Sequence, residues 1–162
     1  MNPKSTVYLE TTIPSYLTSR ISSNLVVACH QQITQEWWTI RHGFELFISP
    51  FVIDEINKGD LELIEKRSKA IQDLPILTVD AEVKQLADNI LKSGIIPDKA
   101  STDAFHIACA TRHGIDFLLT WNCKHIANGA ILRMIERIIR NNGYIMPMVC
   151  TPEELMGGNY DE

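Results

Sequence analysis

The chain has 162 residues, 45% hydrophobic and 22% charged, a length and composition that suit one soluble globular domain around one core. Its formal net charge of −5 argues against holding a polyanion by bulk charge alone, and no run approaches the ~18 consecutive apolar residues of a membrane span. Four cysteines, Cys29, Cys109, Cys123 and Cys150, stand at long irregular intervals without a C-x-x-C pair. That pattern points to buried or half-buried free thiols in a reducing compartment rather than to disulfides or a zinc site.

Met1 to Thr6 is short and polar, which predicts no signal peptide and a cytoplasmic location. Thr6–Glu10 (T-V-Y-L-E) reads as a first strand ending on an acid, and Ile13-Pro14 as the start of a short helix through Leu17. Asn24 caps a helix to about Arg41, with Val27, Ile33, Trp37 and Trp38 at roughly helical spacing, and His42-Gly43 stops it. Glu45–Ser49 is a second strand, followed from Pro50 by a helix through Asn57. Asp60 caps the next helix, to about Gln72. Ile76–Val79 is a short third strand, and Asp80–Ser93 is amphipathic, with Val83, Leu86, Ala87, Ile90 and Leu91 on one stripe.

Ser101 or Thr102 caps a helix through His113. Phe117–Thr120 is a fourth strand, apolar throughout as expected when both faces are covered. Asn128–Asn141 is helical, and Tyr144–Cys150 is a fifth strand that Pro147 confines to an edge. Thr151-Pro152-Glu153-Glu154 reads as a capped helical turn. Residues 1–156 thus read as one domain and 157–162 as a flexible tail. Strands alternating with helices predict an α/β sandwich around a mostly parallel sheet.

In such a sheet the strand-to-helix junctions share one rim, where ligands bind. Four oxygen-bearing residues fall at those junctions: Glu10 ends the first strand, Glu55 lies on the helix after the second, Asp103 opens the helix before the fourth, and Asn122 follows the fourth. Gathered carboxylates repel one another and lose solvation. A hard divalent cation offsets both effects, and oxygen-only donors favour Mg²⁺ or Mn²⁺ over Zn²⁺.

The segments V-Y-L-E-T-T, I-S-P-F-V-I-D-E-I, S-T-D-A-F-H-I-A-C-A and G-I-D-F-L-L-T-W-N-C-K-H-I resemble the successive motifs of the PIN domain family, from about Val7 to Cys150. The resemblance implies a three-layer, flavodoxin-like sandwich of about five strands and a Mg²⁺- or Mn²⁺-dependent ribonuclease. Many members are VapC-type toxins of toxin–antitoxin pairs, so it also implies an antitoxin partner and a homodimer. It assigns Glu10, Glu55, Asp103 and Asn122 as the metal-binding and catalytic set. Glu10 stands where the family usually has aspartate, and Asn122 where it has aspartate or asparagine. These departures favour an alternative, a weakened PIN-fold binding module that acts through a protein partner. A receiver or dehalogenase-like phosphatase would need adjacent acids or D-x-D at the first strand, where this chain has E-T-T.

Each residue also has a plainer reading. Asp54 competes with Glu55 next door, Asp103 suits a helix cap, and Asn122 suits a turn. Thr11 and Thr120 bring hydroxyls beside the proposed metal, where they orient a ligand or simply favour strand. His106, three residues after Asp103, reads first as a core or capping histidine and second as a substrate contact. Lys124 and His125 meet phosphate or solvent, and Trp121 stacks on a base or packs on a helix. Arg133, Arg137 and Arg140 form one helical stripe that reads as a solvated face.

Overall fold

Four short strands, β1 (Thr6–Leu9), β2 (Glu45–Phe47), β3 (Phe117–Leu119) and β4 (Met148–Cys150), form an all-parallel sheet in the order β2-β1-β3-β4. The structure is a computed structural model and describes residues 3–157. Helices flank the sheet: α1 (Thr12–Thr18), α2 (Leu25–Ile40), α3 (Pro50–Ile56), α4 (Leu61–Ile71), α5 (Ala81–Lys92), α6 (Ser101–Arg112), α7 (Gly129–Asn141) and α8 (Pro152–Met156). The result is a three-layer, flavodoxin-like α/β sandwich. Among the described residues, no helix is long and apolar enough to cross a membrane.

Covered sheet faces explain why the inner strands read as continuous apolar runs. Val7, Tyr8, Leu9, Leu118 and Leu119 are all fully buried, and burying each aliphatic side chain contributes about 1.5–3 kcal/mol. Parallel pairing places Val7, Tyr8 and Leu9 of β1 opposite Phe117, Leu118 and Leu119 of β3. On the other side of β1, Thr6, Val7 and Tyr8 face Glu45, Leu46 and Phe47. The first strand is therefore central.

Helix starts follow local chemistry. Asn24 accepts from the amides of Val26 and Val27, Asp60 from Glu62 and Leu63, Asp80 from Val83, and Asn128 from Ala130. Thr151 and Glu154 close a reciprocal capping box on α8. Gly114, at φ +64°, takes the left-handed turn that lets α6 reverse into β3.

Three expectations are corrected. The third strand, expected over Ile76–Val79, shrinks to one bridge between Ile48 and Ile76, so the sheet has four strands rather than five. Its partner ends there, because Ser49 and Pro50 turn β2 into α3, and the carbonyl of Thr78 is taken by Nε2 of His113 at 2.8 Å. The last strand begins only at Met148, since Pro147 offers no amide and Ile145 is exposed; β4 does lie at an edge. Neither Ser101 nor Thr102 caps α6: a 3₁₀ turn over Asp98–Ala100 winds straight into it, and the cap position, Ala100, has no side-chain acceptor.

Of the tail expected over residues 157–162, only Gly157 lies within the described residues. All four cysteines are free, with Cys109 and Cys150 buried; Cys29 and Cys123 are exposed, so the expected burial holds for only half of them.

Candidate metal centre

Chain order reverses between β1 and β3. From β1 the chain crosses to β2 on one side, then returns past β1 to build β3 and β4 on the other. Ligands bind at the carboxyl end of such a switch point, and the ladder continues one step beyond it: the Glu10 amide donates to the Leu119 carbonyl at 3.1 Å. Glu10 is thereby fixed at the mouth of the switch point while only 3% exposed.

A carboxylate that deep in the fold needs donors. Its Oε2 receives three, the Thr12 amide at 3.1 Å, the Thr12 hydroxyl at 2.5 Å and the Thr120 hydroxyl at 2.7 Å. Its Oε1 receives none. Thr12 opens α1 and also accepts from the Trp121 amide at 2.9 Å, while Thr120 accepts from the Asn122 amide at 2.9 Å. The residues that follow β1 and those that follow β3 are thus tied together across the rim.

Glu55 arrives from α3. Neighbouring Asp54 is exposed, whereas Glu55 turns inward with its side chain 29% exposed. Its Oε1 accepts from the Thr11 hydroxyl at 2.7 Å and lies 2.6 Å from Nε2 of His106, and its Oε2 has no donor. Burial pushes this carboxyl up. Hydrogen bonding and charge from His106, the Thr11 hydroxyl and the Lys58 ammonium outweigh burial, and the group sits below its ordinary value.

His106 is fully buried on α6, and both ring nitrogens are engaged. Nδ1 lies 2.6 Å from the Tyr8 hydroxyl, which lies 2.6 Å from the Ser49 hydroxyl. A buried chain therefore runs Ser49–Tyr8–His106–Glu55–Thr11. Burial, assisted by the charges of Glu10 and Glu55, holds the Tyr8 hydroxyl well above its ordinary value, so it stays a neutral group that can donate or accept.

One carboxylate oxygen from Glu10, one from Glu55 and a ring nitrogen of His106 lie within 4.8 Å of one another, close enough to share one cation. The donor set fits a divalent metal: two anionic oxygens and one imidazole, each oriented from behind by hydroxyl groups.

Asp103 is not one of those three. It lies on α6 one turn before His106, its side chain 15% exposed, with Oδ2 2.9 Å from Nδ1 of His125. Asn122 turns its Oδ1 onto its own loop, accepting from the Lys124 and His125 amides at 3.2 and 3.1 Å. It acts there as a turn residue that positions His125 beside Asp103. Of the four junction residues, the structure brings Glu10 and Glu55 into one group and links Asp103 with Asn122 through His125.

Thr11 and Thr120 do orient the carboxylates. Lys124 is exposed, as are Arg133, Arg137 and Arg140, the last paired with Glu136 at 2.5 Å. Trp121 is 7% exposed; its ring stacks on His30 at 3.9 Å between centroids, and its Nε1 donates to the Thr34 hydroxyl at 2.8 Å. That is packing, not an open platform for a base.

Sequence reasoning missed Tyr8, Ser49 and Thr12. A tyrosine in an otherwise apolar central strand was the available signal, because a buried phenol needs a partner. No family model matches this chain, and no curated protein matches it either.

Proposed function

We propose that this protein is a metal-dependent ribonuclease of the PIN type, with Glu10 and Glu55 as the carboxylates that hold the cation. The observation that carries the reading is their convergence at the switch point, each with one oxygen saturated by donors and the other bare. Two carboxylates so close repel each other and lose solvation, and a divalent cation, Mg²⁺ or Mn²⁺, offsets both. When bound, such an ion lowers the pKa of a bound water and clamps a phosphodiester.

The chain's own residues supply the rest of the reaction. Thr12 and Thr120 hold the Glu10 carboxylate, and Thr11 holds that of Glu55. Asp103, with one oxygen tied to His125, accepts the proton of the attacking water. Exposed Lys124, in the loop that Asn122 shapes, meets the substrate phosphate.

RNA as substrate, a toxin role with an antitoxin partner, a homodimer and a cytoplasmic location belong to the same proposal and rest on the motif resemblance. A protein partner has a supporting surface in the exposed apolar residues Ile21, Leu25 and Val26 around the start of α2. The tryptophans of that helix do not contribute: Trp37 is fully buried, and Trp38 is half-buried with Arg41 over its ring at 4.6 Å.

The test is cleavage of single-stranded RNA in Mn²⁺ by Glu10→Gln and Asp103→Asn variants that keep the wild-type circular dichroism and urea midpoint. Loss of cleavage in both is expected, and unchanged cleavage defeats the assignment. The weakened binding module is favoured by Asn122, whose Oδ1 is engaged on its own loop, and by Asp103, one of whose oxygens is tied to His125. It requires that calorimetry detect no Mn²⁺ or Mg²⁺ binding at millimolar concentration, and tight binding with turnover rejects it.

A further inference from the structure

Sequence reasoning placed only oxygen donors around the cation, a set that suits Mg²⁺ or Mn²⁺. The structure brings an imidazole to the same place. His106 is fully buried, and its Nε2 points at Glu55, whose carboxylate shares a 4.8 Å group with that of Glu10. A second, independent feature is Glu10 itself: it is 97% buried, no lysine, arginine or histidine forms an ion pair with it among the described residues, and all three of its donors converge on Oε2, which leaves Oε1 free. A carboxylate this buried with no cationic partner is costly unless a cation meets it.

We infer that His106 is a ligand of the metal centre, which makes it a two-glutamate, one-histidine site that selects a first-row transition ion, Mn²⁺ or Zn²⁺, over Mg²⁺. The inference rests on the metal centre of the proposed function and not on its nuclease activity.

The surroundings of the ring are built for both of its roles. In the metal-free protein Nε2–H donates to Glu55 Oε1 across 2.6 Å. As a ligand, Nε2 must present a lone pair instead, so the ring N–H has to sit on Nδ1 and find an acceptor there. Metal-binding histidines generally donate their second ring N–H to such a partner. The Tyr8 oxygen is that acceptor, 2.6 Å away, and the Tyr8 hydroxyl can in turn donate to Ser49 at 2.6 Å. Two hydroxyls that each donate or accept let the ring change tautomer without leaving a buried polar atom unpaired.

On binding, the ion takes the Nε2 lone pair and the bare carboxylate oxygens, and the proton that Nε2 gives up is matched by the one that Nδ1 gains through solvent, so the ring stays neutral and no net proton is released. Imidazole nitrogen binds Fe²⁺ and Zn²⁺ well and Mn²⁺ more weakly, whereas Mg²⁺ prefers an all-oxygen shell and keeps its waters. Tyr8 and Ser49 are positioning residues in this scheme, since they act on the metal only through the ring.

The experiment is pulsed electron paramagnetic resonance on the full chain loaded with one equivalent of Mn²⁺. Nitrogen hyperfine modulation is expected, changed in frequency by isotopic labelling of histidine nitrogen, retained in His125→Ala and lost in His106→Gln. Competition calorimetry should give Mn²⁺ at least about tenfold tighter binding than Mg²⁺, as a nitrogen donor requires. Bound Mn²⁺ without nitrogen coupling overturns the inference, as does coupling that His125→Ala removes, equal affinity for the two ions, or no binding of either Mn²⁺ or Zn²⁺.

Should His106→Gln fail to fold, the labelled wild-type protein and His125→Ala still decide the matter. None of these readouts uses RNA. A protein that binds Mn²⁺ through nitrogen but cuts nothing loses the nuclease reading and keeps this one. One that cuts RNA with an all-oxygen ion does the reverse.

Discussion

Tyr8 of the central strand and His106 of α6, 98 residues apart, meet edge to face with 2.6 Å between the phenol oxygen and Nδ1, and neither is exposed to solvent. The contact welds the helix that carries Asp103 to the strand that leads into Glu10, so strand and helix cannot shift independently without breaking a buried hydrogen bond.

Tyr8→Phe keeps the ring and removes the hydroxyl, which leaves Nδ1 of His106 and the Ser49 hydroxyl buried without each other's bridge. A loss of about 1–3 kcal/mol in urea unfolding is expected. Ser49→Ala alone should cost less, and because both act on one chain of hydrogen bonds the double variant should be non-additive by at least about 0.5 kcal/mol. Strict additivity would show that the chain does not act as a unit.

Thr120 is fully buried and both donates to Glu10 and accepts from the Asn122 amide. The isosteric Thr120→Val change removes both bonds at once, so a destabilisation of about 1–3 kcal/mol is expected, together with weaker metal binding. Thr120→Ser preserves the hydroxyl and should retain metal affinity. Equal behaviour of Val and Ser variants in calorimetry rules out an orienting role.

The Glu55 carboxyl lies below its ordinary value in the folded chain. A group of that kind adds stability that is complete above its unfolded value, ~4.3, and is lost as pH falls through the lower folded value. Metal-free Glu55→Gln should therefore be less stable than wild type near neutral pH, and the gap should close on acidification. Urea midpoints between about pH 7 and about pH 3 test this; a gap that stays constant or widens in acid contradicts it.

Burial pushes the Cys109 and Cys150 thiols up to about 12. Neither forms thiolate at neutral pH, so a disulfide reagent should modify only exposed Cys29 and Cys123 in the native protein and all four after denaturation. Fast labelling of Cys109 in the folded chain would mean that α6 opens more readily than its packing implies.

Local chemistry is what the sequence by itself determined. Asn24, Asp60 and Thr151 announced helix starts because a cap bonds amides only two or three residues away. Apolar runs announced buried strands, junction position picked out Glu10, and the motif resemblance put Glu55 ahead of Asp54. Strand extent was less legible: whether Ile76–Val79 pairs beyond one bridge depends on where its partner turns into α3.

Only the tertiary structure decided which atoms face one another. That Glu10 and Glu55 share their space with His106, and that Asn122 spends its oxygen on its own loop, follows from how α3 and α6 lie against β1 and β3. Spacing along a chain fixes which face of its own element a side chain occupies. It carries no information about the distance to an element dozens of residues away, which is set by the packing of the whole core.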